Sequence, residues 1–264
     1  MNIANQPALP APAREALQGA LLGTDPLYKQ VRNRLVQSLA EGEWKPGETL
    51  PSEPRLASRF GVGISTIRAA IGELVAARVL ARRQGKGTSV PFHDDRLSIY
   101  QFFHVVRNDG VKELPVSELL SLGQAKADDE VADLLRLPRG TGSARVFKLR
   151  NVLRVSGIPV VLSDIVIPAA LFPGLNEGAV REGGTTLYAV YQSRFGISII
   201  RTVERLQAVK ADAAASKTFG LRTGEPILEV RRIAYTFNDV PIEFRRSRVD
   251  TRQFHYFLNL GSTT

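Results

Sequence analysis

The sequence predicts two domains of different class, a small, mostly α-helical one closed by a β-hairpin and a larger α+β one with an antiparallel sheet. Three observations predict this. Between residues 26 and 76, apolar side chains recur at helical spacing in three short blocks. Beyond residue 100, β-branched runs alternate with three helical segments. Charge is also divided unevenly: the 264 residues carry a net +9, with 11 Lys and Arg against 5 Asp and Glu over residues 26–93, and 23 against 19 over residues 94–264. At roughly 150 residues per domain, this length supports two cores. The boundaries read as an Ala- and Pro-rich N-terminal arm over 1–25, the helical domain over 26–92, a polar linker over 93–100 and the α+β domain over 101–264.

Leu27, Val31, Leu35 and Leu39 share one helical face and predict a first helix over 27–41, stopped by Gly42 and by Pro46-Gly47. Ser52 is expected to cap a second helix over 53–60, with Glu53 in the first turn, where a carboxylate suits the helix dipole, and Pro54 where proline is tolerated. A third helix starts near Gly63 and puts Ile64, Ile67, Ile71 and Leu74 on one side. Ser65, Ala69 and Gly72 lie on the other, with Arg68 at the edge. Such a small, polar face allows close approach to another surface, either a DNA major groove or a second helix. Val79 to Arg83 and Thr88 to Val90 read as strands around the turn Gln84-Gly85-Lys86-Gly87. Its glycines let the backbone approach a phosphate or a narrow groove, and Arg82, Arg83 and Lys86 supply charge. A basic hairpin alone says little, but three short helices followed by one within about 65 residues form a winged helix-turn-helix.

In the second domain, strands are expected at 145–149, 160–167, 197–206, 227–235 and 241–249, and helices at 128–135, 186–194 and 212–219. One antiparallel sheet with helices against it is the economical arrangement. The chain has no cysteine, and His93, His104 and His255 stand far apart, so neither a disulfide nor a metal site is expected. No nucleophile elbow, P-loop or dinucleotide fingerprint is present, and no catalytic residue or cofactor is assigned. No run approaches the ~18 apolar residues of a membrane span, and the first 25 residues lack the apolar run of a signal peptide. A cytoplasmic protein without a membrane partner is expected. A basic small domain beside a nearly balanced larger one suggests a polyanion-binding module coupled to something else, or simply a basic solvated surface.

Pro26-Leu27-Tyr28, Gly42, Pro46-Gly47, Leu50-Pro51-Ser52-Glu53, Leu56-Ala57, Phe60-Gly61-Val62, Thr66-Ile67-Arg68-Ala69-Ala70, Leu74 and Arg83 through Thr88 stand in the order of a known pattern. Through them the first domain resembles the GntR family of bacterial transcription regulators over nearly its whole length. Gly157-Ile158-Pro159, Ile167-Pro168, Thr186-Leu187-Tyr188, Phe195-Gly196, Gly224 to Leu228 and Val240 to Phe244 make the second domain similar to the UTRA effector domain of that family's HutC branch, which has a chorismate-lyase-like fold.

The resemblance implies DNA contacts from the start of the third helix and the wing tip, namely Ser65, Thr66, Arg68, Arg83, Gln84, Gly85, Lys86 and Gly87, with Arg55 as a phosphate contact of the second helix. Many members have Arg where this chain has Pro54 and a polar or basic residue where it has Ile64. Arg68 and the wing are thereby expected to carry more of the readout, although Arg68 also suits a phosphate clamp without specificity. For the effector the resemblance points to Arg150, Asp164, Thr186, Tyr188 and Glu243, any of which equally suits a surface salt bridge. Many relatives, sugar-phosphate sensors among them, have an Arg-x-Arg arrangement before the Gly-x-Pro turn. Asn151 and Leu153 fall at that spacing here, which puts such a ligand in question. The implied protein is a sequence-specific repressor that binds double-stranded DNA at a palindromic operator as a homodimer, answers to a small polar or anionic effector, and joins the nucleoid when on DNA. Two alternatives are a small-molecule-transforming enzyme of chorismate-lyase-like fold and a nonspecific basic DNA-binding protein.

Overall fold

The computed structural model describes residues 25–93, 102–111, 113–139, 144–182 and 186–258. The N-terminal arm through residue 24, linker residues 94–100 and residues 259–264 lie outside them. The chain divides into two compact units, the first ending at Pro91 and the second starting at Phe92.

In the first unit, α1 (Leu27–Ala40), α2 (Glu53–Phe60) and α3 (Ile64–Ala76) precede the hairpin strands β1 (Ala81–Arg83) and β2 (Gly87–Ser89). Val31, Leu35 and Leu39 of α1, Leu56 and Phe60 of α2, and Ile67, Ile71 and Leu74 of α3 are buried. Each helix spends one stripe on a shared core, as its apolar spacing requires. Two local details differ from the sequence expectation. Ser52 precedes α2 but makes no side-chain cap hydrogen bond. Ile64, placed by periodicity on the apolar side of α3, is 43% exposed because it opens the helix, a turn ahead of the core. Gly61 ends α2 with φ of 66°, a left-handed conformation that turns the chain into α3 without the cost a Cβ would bring. The hairpin pairs Ala81 with Ser89 and Arg83 with Gly87. Backbone bonds from Gly47 N to Val90 O, Leu50 N to Thr88 O and Val90 N to Glu48 O tie it to the α1–α2 connection.

The second unit holds a six-stranded antiparallel sheet. Its strands are β4 (Val116–Lys126), β5 (Arg145–Val155), β6 (Ile158–Pro168), β7 (Arg201–Lys210), β8 (Pro226–Tyr235) and β9 (Pro241–Val249), in the order β4-β5-β6-β9-β8-β7. A smaller ladder joins β3 (Val105–Arg107) to β10 (Phe254–Tyr256). One sheet face carries Phe147, Leu149, Ile165 and Ile167, packed against α6 (Leu187–Phe195) through Tyr188 and Tyr191 and against α5 (Glu177–Glu182) through Ala179. On the other face, Val146, Val166 and Phe244 meet α4 (Asp129–Leu134), and Leu162 and Ile227 meet α7 (Ala213–Phe219).

The three helices predicted from sequence form, each capped by the residue named as its start. Asp128, Thr186 and Asp212 accept from the amides of Val131, Ala189 and Ala215. The strand expected at 197–206 begins later, at Arg201. After the left-handed Gly196, Ile199 is instead buried in an extended approach to the sheet. β4 escapes the sequence analysis because, as an edge strand exposed along most of its length, its Ser, Glu and Gln positions dilute the apolar pattern.

Leu35 is fully buried in the first unit. Leu35→Ala should destabilise that unit by about 2–5 kcal/mol. In a differential scanning experiment the melting of the first unit should fall while that of the second is unchanged.

Candidate functional site

In the first unit, α2, α3 and the hairpin converge on one carboxylate. Glu53, in the first turn of α2, accepts from Arg68 Nε of α3 at 3.1 Å and from Arg82 Nη2 of β1 at 2.9 Å. Both arginines remain largely exposed, at 64% and 49%. Exposed pairs of this kind are worth about 1 kcal/mol or less. They hold the guanidiniums in place without preventing a polyanion from competing for them. Arg55 and Ser65 are exposed and Thr66 is half-buried. Arg83, Gln84, Gly85, Lys86 and Gly87 are exposed around the hairpin tip. Gly85 and Gly87 have φ of 73° and 86°, and a Cβ at 87 would lie 3.1 Å from Thr49 Cγ2, so the tip needs both glycines. The clamp itself is not legible in the sequence. Glu53 reads there as a helix-dipole partner, and its arginines lie 15 and 29 residues away.

In the second unit a cavity opens on the sheet face that carries α6. Strand register lays its floor. Asn151 pairs with Ser163, Ser163 with Ser247 and Ser247 with Val230, so one rung crosses β5, β6, β9 and β8. Ser163 Oγ lies 2.8 Å from Ser247 Oγ, and Asn151 Nδ2 donates to Ser117 Oγ at 3.1 Å. Asn151 Oδ1 is buried without a hydrogen-bond partner among the described residues. On one side of this rung lie Leu153, Val161 and Val249; on the other, Arg245 and Arg232 stand opposite each other. Phe102, Tyr188, Tyr256 and His93 form aromatic walls.

Both cavity arginines are matched by carboxylates, that of Glu243 fully buried and that of Glu204 partly so. Arg245 donates Nε and Nη2 to Glu243 at 2.8 and 2.9 Å. Arg232 donates Nε to Glu204 at 2.5 Å and Nη2 to the Phe102 carbonyl at 2.6 Å, and Tyr256 donates its hydroxyl to the same Glu204 at 2.6 Å. Burial opposes the charge on each arginine, yet both pKa values are raised, that of Arg245 chiefly by Glu243 and that of Arg232 by Tyr188 and Glu204. Glu243 is fully buried and also accepts from the hydroxyls of Tyr188 at 3.1 Å and Tyr191 at 2.8 Å. Burial, then the Glu243 charge, pushes the Tyr188 hydroxyl up to about 12, so it remains a donor.

The residues expected at the effector site are therefore not all brought together. Thr186 and Tyr188 line the cavity. Glu243 stands behind it and positions Tyr188 and Arg245. Arg150 and Asp164 are elsewhere: Arg150 Nε donates to Asp164 at 2.6 Å, Asp164 also takes Arg248, and Arg248 reaches Asp212 at 2.8 Å. They are each one residue from Asn151 and Ser163, and the period of two sends them to the opposite sheet face. Ser163, Ser247, Arg232 and Arg245 line the cavity without a motif that marks them in the sequence, and Asn151 was marked only by its spacing before the Gly-x-Pro turn. Strand parity was the signal available for them, once a single residue of the sheet had been assigned to a face.

His93 borders this cavity from the end of the segment that leaves the first unit. Its backbone N–H donates to Gln192 Oε1 and its Nε2 accepts from Ile199 N–H, each at 2.9 Å. Its ring meets Phe102 and Tyr188 edge-on, with centroids 5.9 and 6.5 Å apart.

Comparison with known proteins covers both units. Residues 27–90 match the model of the bacterial regulatory proteins of the gntR family, and residues 112–255 match that of the UTRA domain. The "Probable fructoselysine utilization operon transcriptional repressor" of Escherichia coli strain K12 is 29% identical over 221 residues, covering 82% of this chain and 87% of that protein. The HTH-type transcriptional repressor NagR of Bacillus subtilis is 27% identical over 240 residues, covering 89% and 95%. The crystal structure of PhnF from Mycobacterium smegmatis superposes with a TM-score of 0.51 at 26% identity, covering 88% of this chain and all of that one.

Burial holds the His93 pKa at about 4, below the ordinary 6.5. The unfolded chain thus binds the extra proton first, so the stability that neutral His93 contributes is complete above pH 6.5 and is lost as pH falls toward 4. The loss is on the order of 3 kcal/mol when complete. The melting temperature of the second unit should fall through that window more steeply in the wild type than in His93→Gln; parallel curves would contradict the assignment.

Proposed function

Since the chain belongs to the gntR family of bacterial regulatory proteins and carries that family's UTRA domain, we propose that it represses transcription from a palindromic operator, as a cytoplasmic homodimer, under control of a small polar or anionic metabolite. It is a DNA-binding transcription regulator with an effector-binding domain. The observation that carries the finer reading is one chain holding both an exposed arginine-bearing helix-and-wing surface and a separate cavity lined with polar groups. Similarity to repressors along both domains favours this reading over an enzyme or a nonspecific DNA-compacting protein.

Arg68 is suited to a bidentate guanine contact from α3, with Ser65 and Thr66 beside it. The glycines and charges of Arg83 to Gly87 are suited to the minor groove, and Arg55 to a phosphate. Two copies related by a twofold axis would meet two half-sites about one helical turn apart or closer. Thr186, Tyr188 and the rung from Asn151 to Ser247 would hold the effector. A ligand shifts operator affinity only through its different affinity for two states, and a ~100-fold response needs about 2.7 kcal/mol of coupling. Linker residues 93–100 would be the hinge, with His93 as its anchor in the cavity wall.

Selection from random duplex DNA should yield a palindrome bound about 10³-fold or more tighter than its scrambled counterpart. Equal affinity for both, with only steep salt dependence, would remove the repressor reading. On the selected site, Arg68→Ala should cost about 1–3 kcal/mol and relax specificity at one base pair, whereas Lys86→Ala should weaken all sequences alike and lower the salt slope by about one.

A further inference from the structure

The cavity's own chemistry selects among effector classes, an inference that rests on the effector-controlled reading above. Its floor is graded along the strands. The rung of Leu153, Val161 and Val249 is apolar, the next carries Asn151, Ser163 and Ser247, and the third carries Arg245 opposite Arg232. A phosphomonoester is a dianion at neutral pH and needs cations whose charge is not already spent. Among the described residues lining the cavity, each arginine has a carboxylate of its own, Glu204 for Arg232 and Glu243 for Arg245. His93 is uncharged near neutrality because burial holds its pKa at about 4. The neighbouring cleft repeats the pattern, with Arg154 paired to Glu118 and Arg181 to Glu177.

What the floor does offer is specific. Asn151 is 3% exposed, its Nδ2 is committed to Ser117, and its Oδ1 has no partner among the described residues. A buried acceptor left unpaired is costly, so a ligand that supplies an N–H or O–H there gains what the free protein lacks. Arg232 uses Nε and Nη2 on Glu204 and the Phe102 carbonyl and also interacts with the Tyr188 and Tyr256 hydroxyls, and Arg245 uses Nε and Nη2 on Glu243. Two adjacent guanidinium edges, each with its main charge matched, suit one carboxylate spread between them. Leu153, Val161 and Val249, with the aromatic wall of Phe102 and Tyr188, suit an apolar body. The geometry points to an apolar-bodied organic acid with a single negative charge and one N–H or O–H donor, its carboxylate at Arg232 and Arg245 and its donor at Asn151 Oδ1.

The test uses the full chain and three matched sets of probes, read by thermal shift and isothermal titration. The first set is mandelate, phenyllactate and indoleacetate; the second is their uncharged amides; the third is glucose phosphate and glucosamine phosphate. The acids should raise the melting temperature and bind about tenfold or more tighter than their amides. Asn151→Leu and Asn151→Ala, each checked for an unchanged fold by melting without ligand, should weaken the acids about tenfold. Sugar phosphates binding tighter than the acids, no binding by any acid, or unchanged affinity in a folded Asn151 variant would each overturn the ligand class. Operator affinity is measured beside each titration and separates the two claims. Acids that bind without altering it would leave the class standing and remove the effector-controlled reading. A sugar phosphate that binds and alters it would do the reverse.

Discussion

The second unit depends on one buried carboxylate. Glu243 has no exposed surface, and a charge so placed is tolerated only with its lone pairs satisfied. Four hydrogen bonds from three side chains do this: Tyr188 and Tyr191 reach it from α6, and Arg245 reaches it twice from its own strand. The arrangement ties α6 to β9 and holds two cavity-lining groups, Tyr188 and Arg245, in fixed orientations. Removing one partner of such a group leaves the remainder buried and unpaired, so the cavity wall and the fold of this unit share a common constraint.

Sheet parity then divides the labour between the two faces. Asn151 and Leu153 of β5 and Val161 and Ser163 of β6 look into the cavity, whereas Arg150 and Asp164 join Arg248 and Asp212 on the other side. That second network links β5, β6 and β9 to the capping residue of α7. Its charges serve the packing of a helix on the sheet, and the cavity is left with groups that are matched or neutral.

The first unit works with weaker forces. Glu53 holds Arg68 and Arg82 through exposed pairs, each worth a fraction of what a buried pair costs to break. Weak restraint suits a surface that must exchange protein carboxylates for phosphates and base edges. The packed stripe of Val31, Leu35, Leu56, Ile67 and Ile71 beneath supplies the rigidity that the surface pairs do not. The wing is fixed by backbone bonds to residues 47–50.

Much of this was legible in the sequence. The spacing of Leu27 to Leu39 and of Ile67 to Leu74, the stop at Gly61 and the glycine-rich turn at 84–87 determined the helices and hairpin of the first unit, because helix periodicity and left-handed turns are local properties of the chain. Asp128, Thr186 and Asp212 marked three helix starts for the same reason. Tertiary structure alone decided the rest. β4 exists because β5 offers it a partner, the 197–206 segment enters its strand late because Ile199 is needed in the core, and Glu53 meets arginines far along the chain. The effector residues turned on a single unit of register. An Arg150 and an Asn151 are equally plausible ligand groups in sequence, but successive residues of a strand face opposite ways, and only the packed sheet says which way is in.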